Sequence, residues 1–219
     1  MNVFAELLPM IIGAMLAPVW IIIVLLILRS PDGLIKAMAF VAGITTVRLL
    51  QGLLFGYALA GAGAANDGSS LVVSVLLMVL GILLLISAVK KLMHEDDPDA
   101  PPPQWMHKLD RSAPVLFGLG MLFTLVAPKL WIFTLSAISV IRNAGLSAAE
   151  SAIAFLLYVL GAQSLIILPL IVYAIAPRQS ARGLAAASDW LTKHNRQITL
   201  TVSLVFGSFF LWKGISGLM

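Results

Sequence analysis

Apolar residues follow one another in long uninterrupted runs along this chain, without the regular polar punctuation of an amphipathic soluble fold. Six runs are long enough to cross a hydrocarbon core of about 30 Å at about 1.5 Å per residue. They lie near Phe4 to Leu28, Lys36 to Ala60, Leu71 to Val89, Ala113 to Ile141, Ser151 to Ala176 and Ile198 to Ile215. The first has Glu6 where a secretory signal carries basic residues and is too long for a signal core, so it is expected to stay in the mature protein. The pattern predicts an all-α, polytopic membrane protein of six transmembrane helices.

Composition sharpens this picture. Sixty per cent of the 219 residues are hydrophobic and 11% are charged, against about 25% charged in soluble domains. The net charge of +4 is spread between apolar runs, not gathered on one soluble face, so nucleic acid is not an expected partner. Basic residues mark topology instead, because short cytoplasmic loops are rich in Lys and Arg. Arg29 and Lys36, then Lys90, Lys91, Lys108 and Arg111, then Arg178, Arg182, Lys193 and Arg196 fall on one side of the predicted helices. The reading is a bacterial cytoplasmic (inner) membrane protein with both termini outside.

Polar segments divide the chain. Residues 1–89 form a first three-helix repeat, 90–112 a cytoplasmic linker and 113–219 a second repeat, with an interfacial helix near 179–195. The linker carries Glu95, Asp96, Asp97, Asp99 and three consecutive prolines, and the interfacial segment spaces Leu184, Ala187 and Leu191 along one face, with Trp190 suited to a membrane boundary. The two halves share landmarks in one order: Ala17-Pro18 or Ala127-Pro128 midway along a helix, then Arg29 or Arg142, then Gly33-Leu34 or Gly145-Leu146, then a helix containing Gly43 or Gly161. Three crossings per unit make this an inverted 3+3 repeat, an arrangement common in secondary transporters. Chance recurrence of two Ala-Pro pairs is the competing reading.

Candidate chemistry sits inside the apolar runs. Pro18 and Pro128 each remove a helical hydrogen bond, which predicts broken helices with free backbone groups near the midplane. A plain packing kink is the alternative. Arg48 and Lys129 are placed near the middle of helices two and four, with no Asp or Glu at that depth. A central basic side chain costs at least about 2.5 to 3.5 kcal/mol on insertion scales and needs a pair, water or ligand. The missing acid favours an anionic ligand, held by Arg as a fork and by Lys as a point charge. Capping of freed carbonyls by Arg48, and snorkelling of Lys129 to an interface, remain the alternatives.

Thr45, Thr46 and Gln51, with Gln163 and Ser164, are candidates to line the same cavity or to bond between helices. Gly52, Gly56 and Ala60 continue the Arg48 face as a ridge of small residues that reads first as helix packing. His94, His107 and His194 show no metal-ligand spacing and cysteine is absent, so no metal site, thiol chemistry or cofactor is expected. No nucleophile with a base, phosphate loop or dinucleotide fingerprint occurs, and enzymatic activity is not expected.

Motifs spread over essentially the whole length resemble the GAP (Sap) family, the glycopeptidolipid- and sulfolipid-addressing proteins of mycobacteria and related actinobacteria, within the LysE exporter superfamily. They are Ser30-Pro31, Phe40-x-x-Gly43, Trp105-x-x-Lys108-Leu109-Asp110, Phe117-Gly118-Leu119-Gly120, Pro128-Lys129, Ala144-Gly145-Leu146-Ser147, Trp190-Leu191-x-x-His194-Asn195 and Trp212-Lys213-Gly214. One departure is Ala127, where the family commonly has Asn before Pro-Lys. The resemblance implies a LysE-like fold and export or addressing of a lipid or glycolipid to the cell surface. Joined to the residue reading, it gives an exporter or flippase-like carrier for an anionic lipid, glycolipid or other anionic amphiphile. The substrate-binding candidates are Arg48, Lys129, Pro18, Pro128, Thr45, Gln51 and Gln163. Membrane lipids are the expected partners, with a second copy of the chain or a larger lipid-export complex as protein partners. Two alternatives stay open: a LysE-type exporter of a small solute, and a non-transporting accessory or scaffold of a lipid-export machine.

Overall fold

The computed structural model describes residues 3–61, 68–93, 109 and 111–218. Among the described residues the chain is all helical: α1 (Val3–Met15), α2 (Pro18–Leu28), α3 (Gly33–Gly61), α4 (Gly68–Met93), α5 (Ala113–Val126), α6 (Pro128–Asn143), α7 (Ala148–Ile175) and α8 (Pro177–Ser216). Four helices, α3, α4, α7 and α8, contain stretches long and apolar enough to cross a membrane; counting each bent pair, α1 with α2 and α5 with α6, as one span gives up to six. Large apolar side chains such as Leu53, Leu125, Leu160 and Val205 lie exposed. Contiguous apolar surface of this kind suits a hydrocarbon surrounding.

Both bends occur where the sequence places Ala before Pro. A proline disfavours the helical region for the residue preceding it. Ala17 accordingly sits at φ −111°, ψ 88° and Ala127 at φ −94°, ψ 92°. The bends are 54° at Ala17 and 73° at Ala127. Each proline then starts its following helix, where its missing N–H is harmless. One carbonyl left free by the second break is recovered by Trp131, whose Nε1 donates to Leu125 O at 2.9 Å. After α2 and after α6 the chain turns through a left-handed residue, Asp32 at φ 56° and Gly145 at φ 64°.

Helices of the first half pack mainly on helices of the second. α3 lies on α5 so closely that a Cβ at Gly43 would meet the Phe117 carbonyl, and one at Gly120 the Phe40 carbonyl. α7 lies on α1, with Gly161 facing Ile11. α4 packs on α6 and α2 packs on α8. Two pairs cross antiparallel: α3 with α7, where Thr45 faces Gln163 and Gly52 faces Phe155, and α4 with α8, where Gly81 meets Gly207. The apolar core falls into two clusters, one around Leu7, Leu80, Phe133 and Phe210, the other around Ile27, Phe40, Ile44 and Leu116.

Two boundaries differ from the sequence reading. The segment near 179–195 is not a separate helix but the first half of α8, which continues unbroken to Ser216. No glycine or proline lies between Gly183 and Gly207 to interrupt the ladder. The expected linker begins inside α4, which runs to Met93 with Lys90 and Lys91 in its last turn, where they complement the helix dipole. Positions 94–108, including the acidic cluster, His94 and His107, lie outside the described residues.

Candidate functional site

The antiparallel α3–α7 pair forms a seam with a polar layer at its centre. One face of α3 presents Thr45, Arg48 and Gly52 in successive turns, the three- and four-residue spacing of a helical stripe. Arg48 is 3% exposed and Gln51 also 3%. Gln163 of α7 is buried beside them, and the Thr45 hydroxyl donates to its Oε1 at 3.0 Å, with the Val41 carbonyl 2.8 Å away as a second acceptor.

Helix α6 adds Thr134 to the layer and α7 adds Tyr158, both buried. Tyr158 lies beside Thr134 and within electrostatic reach of Arg48. Thr134 satisfies itself on the Leu130 carbonyl at 2.9 Å. Arg48 Nε and Nη1 and both amide atoms of Gln51, by contrast, are buried with no hydrogen-bond partner, as are the hydroxyls of Ser136 and Ser139 elsewhere on α6. Each buried polar group without a partner costs about 1–3 kcal/mol, and more when charged. A guanidinium with two free nitrogens beside a free amide has the donors to bond a polar, negatively charged group.

Space surrounds the layer. A cavity of about 10 Å³, about one water's worth, separates Arg48 from Ala17 and Trp20. Behind that wall a cavity of about 300 Å³ is lined by Ala17, Pro18 and Ala127, so the two helix breaks open on one space. Along the seam itself, an open groove of about 460 Å³ runs past Met38, Thr45, Thr46 and Leu170 on one side of Arg48. On the other side lies a groove of about 560 Å³ containing Gly52, Gly56 and Phe155. Its α3 residues continue the stripe that carries Arg48.

The structure therefore brings together Arg48, Thr45, Gln51 and Gln163, and sets Pro18 at the adjoining cavity. Pro128 and Lys129 begin α6, and their side chains lie outside the described residues. Thr46 bonds to the Ala42 carbonyl at 2.8 Å, and Ser164 to Gly161 O at 2.8 Å and Met15 Sδ at 3.0 Å, so both are locally satisfied. The ridge of small residues is split in function: Gly52 receives the Phe155 ring, while a Cβ at Gly56 would meet nothing within 4 Å. Ser136, Ser139 and Tyr158 were not among the sequence candidates. The serines lie three residues apart in an otherwise largely apolar helix.

Outside the membrane-spanning layer, Arg29 is ion-paired: it donates to Asp189 Oδ1 at 3.0 Å and to the Ala185 carbonyl at 2.7 Å. His194 stacks on Trp190 with ring centroids 4.6 Å apart. Among the described residues no group of acids and histidines is arranged to hold a metal.

No curated protein and no solved structure matches the chain. A protein-family model described as Sap, sulfolipid-1-addressing protein, matches residues 7–216. The match takes in all but the first four residues of α1, the seam and the whole of α8, and the chain belongs to the Sap, sulfolipid-1-addressing protein family.

Proposed function

We propose that this protein carries an anionic lipid, glycolipid or related amphiphile across the bacterial cytoplasmic membrane toward the cell surface, with the α3–α7 seam as its path. The observation that carries the reading is the buried Arg48 guanidinium, two of its nitrogens without a partner, between two grooves on one helical stripe. Membership in a family named for addressing a sulfolipid supports a lipid as cargo. Arg48 takes the headgroup charge, Gln51 and Tyr158 take its oxygens, and the Thr45–Gln163 pair bounds the layer. Lys129 is a second cation beside the α5–α6 break.

The protein acts as six spans in an inverted 3+3 repeat, with a LysE-like arrangement and both termini outside. The reciprocal packing supports this: α3 on α5 matches α7 on α1, α4 on α6 matches α8 on α2, and α3–α7 and α4–α8 each pair with their own counterpart. Exchanging the two halves then exchanges the two grooves, which supplies alternating access. A second copy of the chain, or a larger export complex, is the partner this membrane surface would take.

The test is reconstitution into vesicles with a headgroup-labelled phosphatidylglycerol or phosphatidylcholine, followed by chemical bleaching of the outer leaflet. Wild type moves the anionic probe faster than the zwitterionic one, and Arg48→Gln loses at least about tenfold of that rate, the equivalent of about 1.4 kcal/mol, while Arg48→Lys keeps part of it. Equal movement by wild type and Arg48→Gln would refute the role of Arg48. No movement by wild type would assign the chain to an accessory role in a larger machine.

A further inference from the structure

The groove of about 560 Å³ between α3, α6 and α7 has a property that the polar layer does not explain. Its volume falls in the range of about 300–1,000 Å³ typical of small-ligand sites. Its walls are Leu49, Leu53, Ile138, Phe155 and Leu156, and among the described residues its only charged lining residue is Arg142. Gly56 keeps it open, because no neighbour approaches within 4 Å of where a Cβ would stand. From Gly56 to Leu49 the groove advances about 10 Å along α3, which takes it from Arg142 to the edge of the Arg48 layer.

Arg142 holds the last turn of α6, as Arg29 caps the end of α2, each on the second piece of a broken helix. The two arginines have different surroundings. Arg29 is neutralised by Asp189 at 3.0 Å, whereas Arg142 makes no ion pair among the described residues and is exposed at the groove. The nearest acid along the chain, Glu150, is turned away: its Oε2 accepts from the Ser147 amide at 2.9 Å and the Ser147 hydroxyl at 2.7 Å, closing the cap of α7.

We infer that this groove is a second lipid site, holding one acyl chain of an anionic lipid along Gly56 and Leu49 with the headgroup oxyanion on Arg142. Apolar walls take the chain and a guanidinium takes the charge, so the site selects on both ends of the same molecule. It lies beside the path proposed above and depends with it on the chain spanning a membrane, but it does not require Arg48. A lipid held there waits one helical segment from the polar layer, as a loading or release station.

Photolabelling tests this with the full chain in vesicles, using a phosphatidylglycerol or a phosphatidylcholine that carries a diazirine in its acyl chain, and mapping the labelled peptides. Wild type is labelled at 49–56 of α3 and 148–156 of α7, about tenfold more by the anionic lipid, a difference of about 1.4 kcal/mol. Arg142→Gln brings the two lipids to parity at those positions. Gly56→Trp, which fills open space, removes labelling by both. Arg48→Gln leaves groove labelling at the wild-type level even where it stops lipid movement, so failure of one site is separable from failure of the other. Equal labelling by the two lipids, or wild-type labelling in either Arg142→Gln or Gly56→Trp, would overturn the inference.

Discussion

A buried guanidinium beside an unpartnered amide is expensive to maintain, and Arg48 persists at 3% exposure with two nitrogens unbonded. That expense makes sense if the layer exists to exchange partners with a passing headgroup. Glycines give a sharper test of the packing that holds it in place. Gly118 and Gly120 lie two residues apart on α5 and so on roughly opposite faces of the helix: a Cβ at Gly118 meets nothing and one at Gly120 collides with the Phe40 carbonyl. Gly120→Ala is therefore expected to lower the thermal stability of the detergent-solubilised protein by several degrees, and Gly118→Ala to leave it unchanged or raise it, since alanine favours a helix by about 1 kcal/mol. Equal effects in a melting experiment would contradict the close α3–α5 approach. At this scale Arg48, Thr45, Gln51 and Gln163 were legible, because polar residues stand out in apolar runs. Tyr158, and the missing partners of Ser136 and Ser139, were not. Hydroxyls in membrane helices commonly bond back to the preceding turn, as Thr46 and Thr134 do here, and only tertiary structure separates those that cannot.

Breaks and caps are properties of elements. Pro18 and Pro128 end one helix and start another, whereas Pro9 and Pro169 are absorbed inside α1 and α7. Proline alone therefore does not announce a break, and the recurrence of Ala-Pro at matching places was the informative signal. Pro18→Ala restores the missing donor and is expected to straighten α1 into α2, narrowing the cavity of about 300 Å³ and slowing lipid movement about tenfold (about 1.4 kcal/mol) with expression intact. Unchanged movement would make the bend a packing feature. Ser147 and Glu150 form a capping box at the start of α7, so Ser147→Ala is expected to cost about 1 kcal/mol of stability, measurable as a lowered melting temperature without loss of anionic-lipid preference. The continuity of α8 was hidden from the sequence because its polar first half reads as a surface helix and its apolar second half as a span. At 40 residues, and about 1.5 Å per residue, it is about twice as long as a hydrocarbon core is thick.

Across the whole molecule, the packing of each half on the other turns a row of spans into a seam. The order of landmarks in the two halves was readable from the chain; that their exchange would place Thr45 against Gln163 and Gly81 against Gly207 was not, because it depends on which helices meet. The central claim is that the polar layer on this seam opens alternately to the two sides of the membrane. The chain has no cysteine, so a single Gln51→Cys substitution reports on one position without background. The most direct measurement is labelling of that cysteine by a membrane-impermeant thiol reagent in right-side-out and inside-out vesicles, with and without added anionic lipid. Alternating access predicts reaction from both sides and protection by the anionic lipid. Reaction from one side only, or from neither, would contradict it.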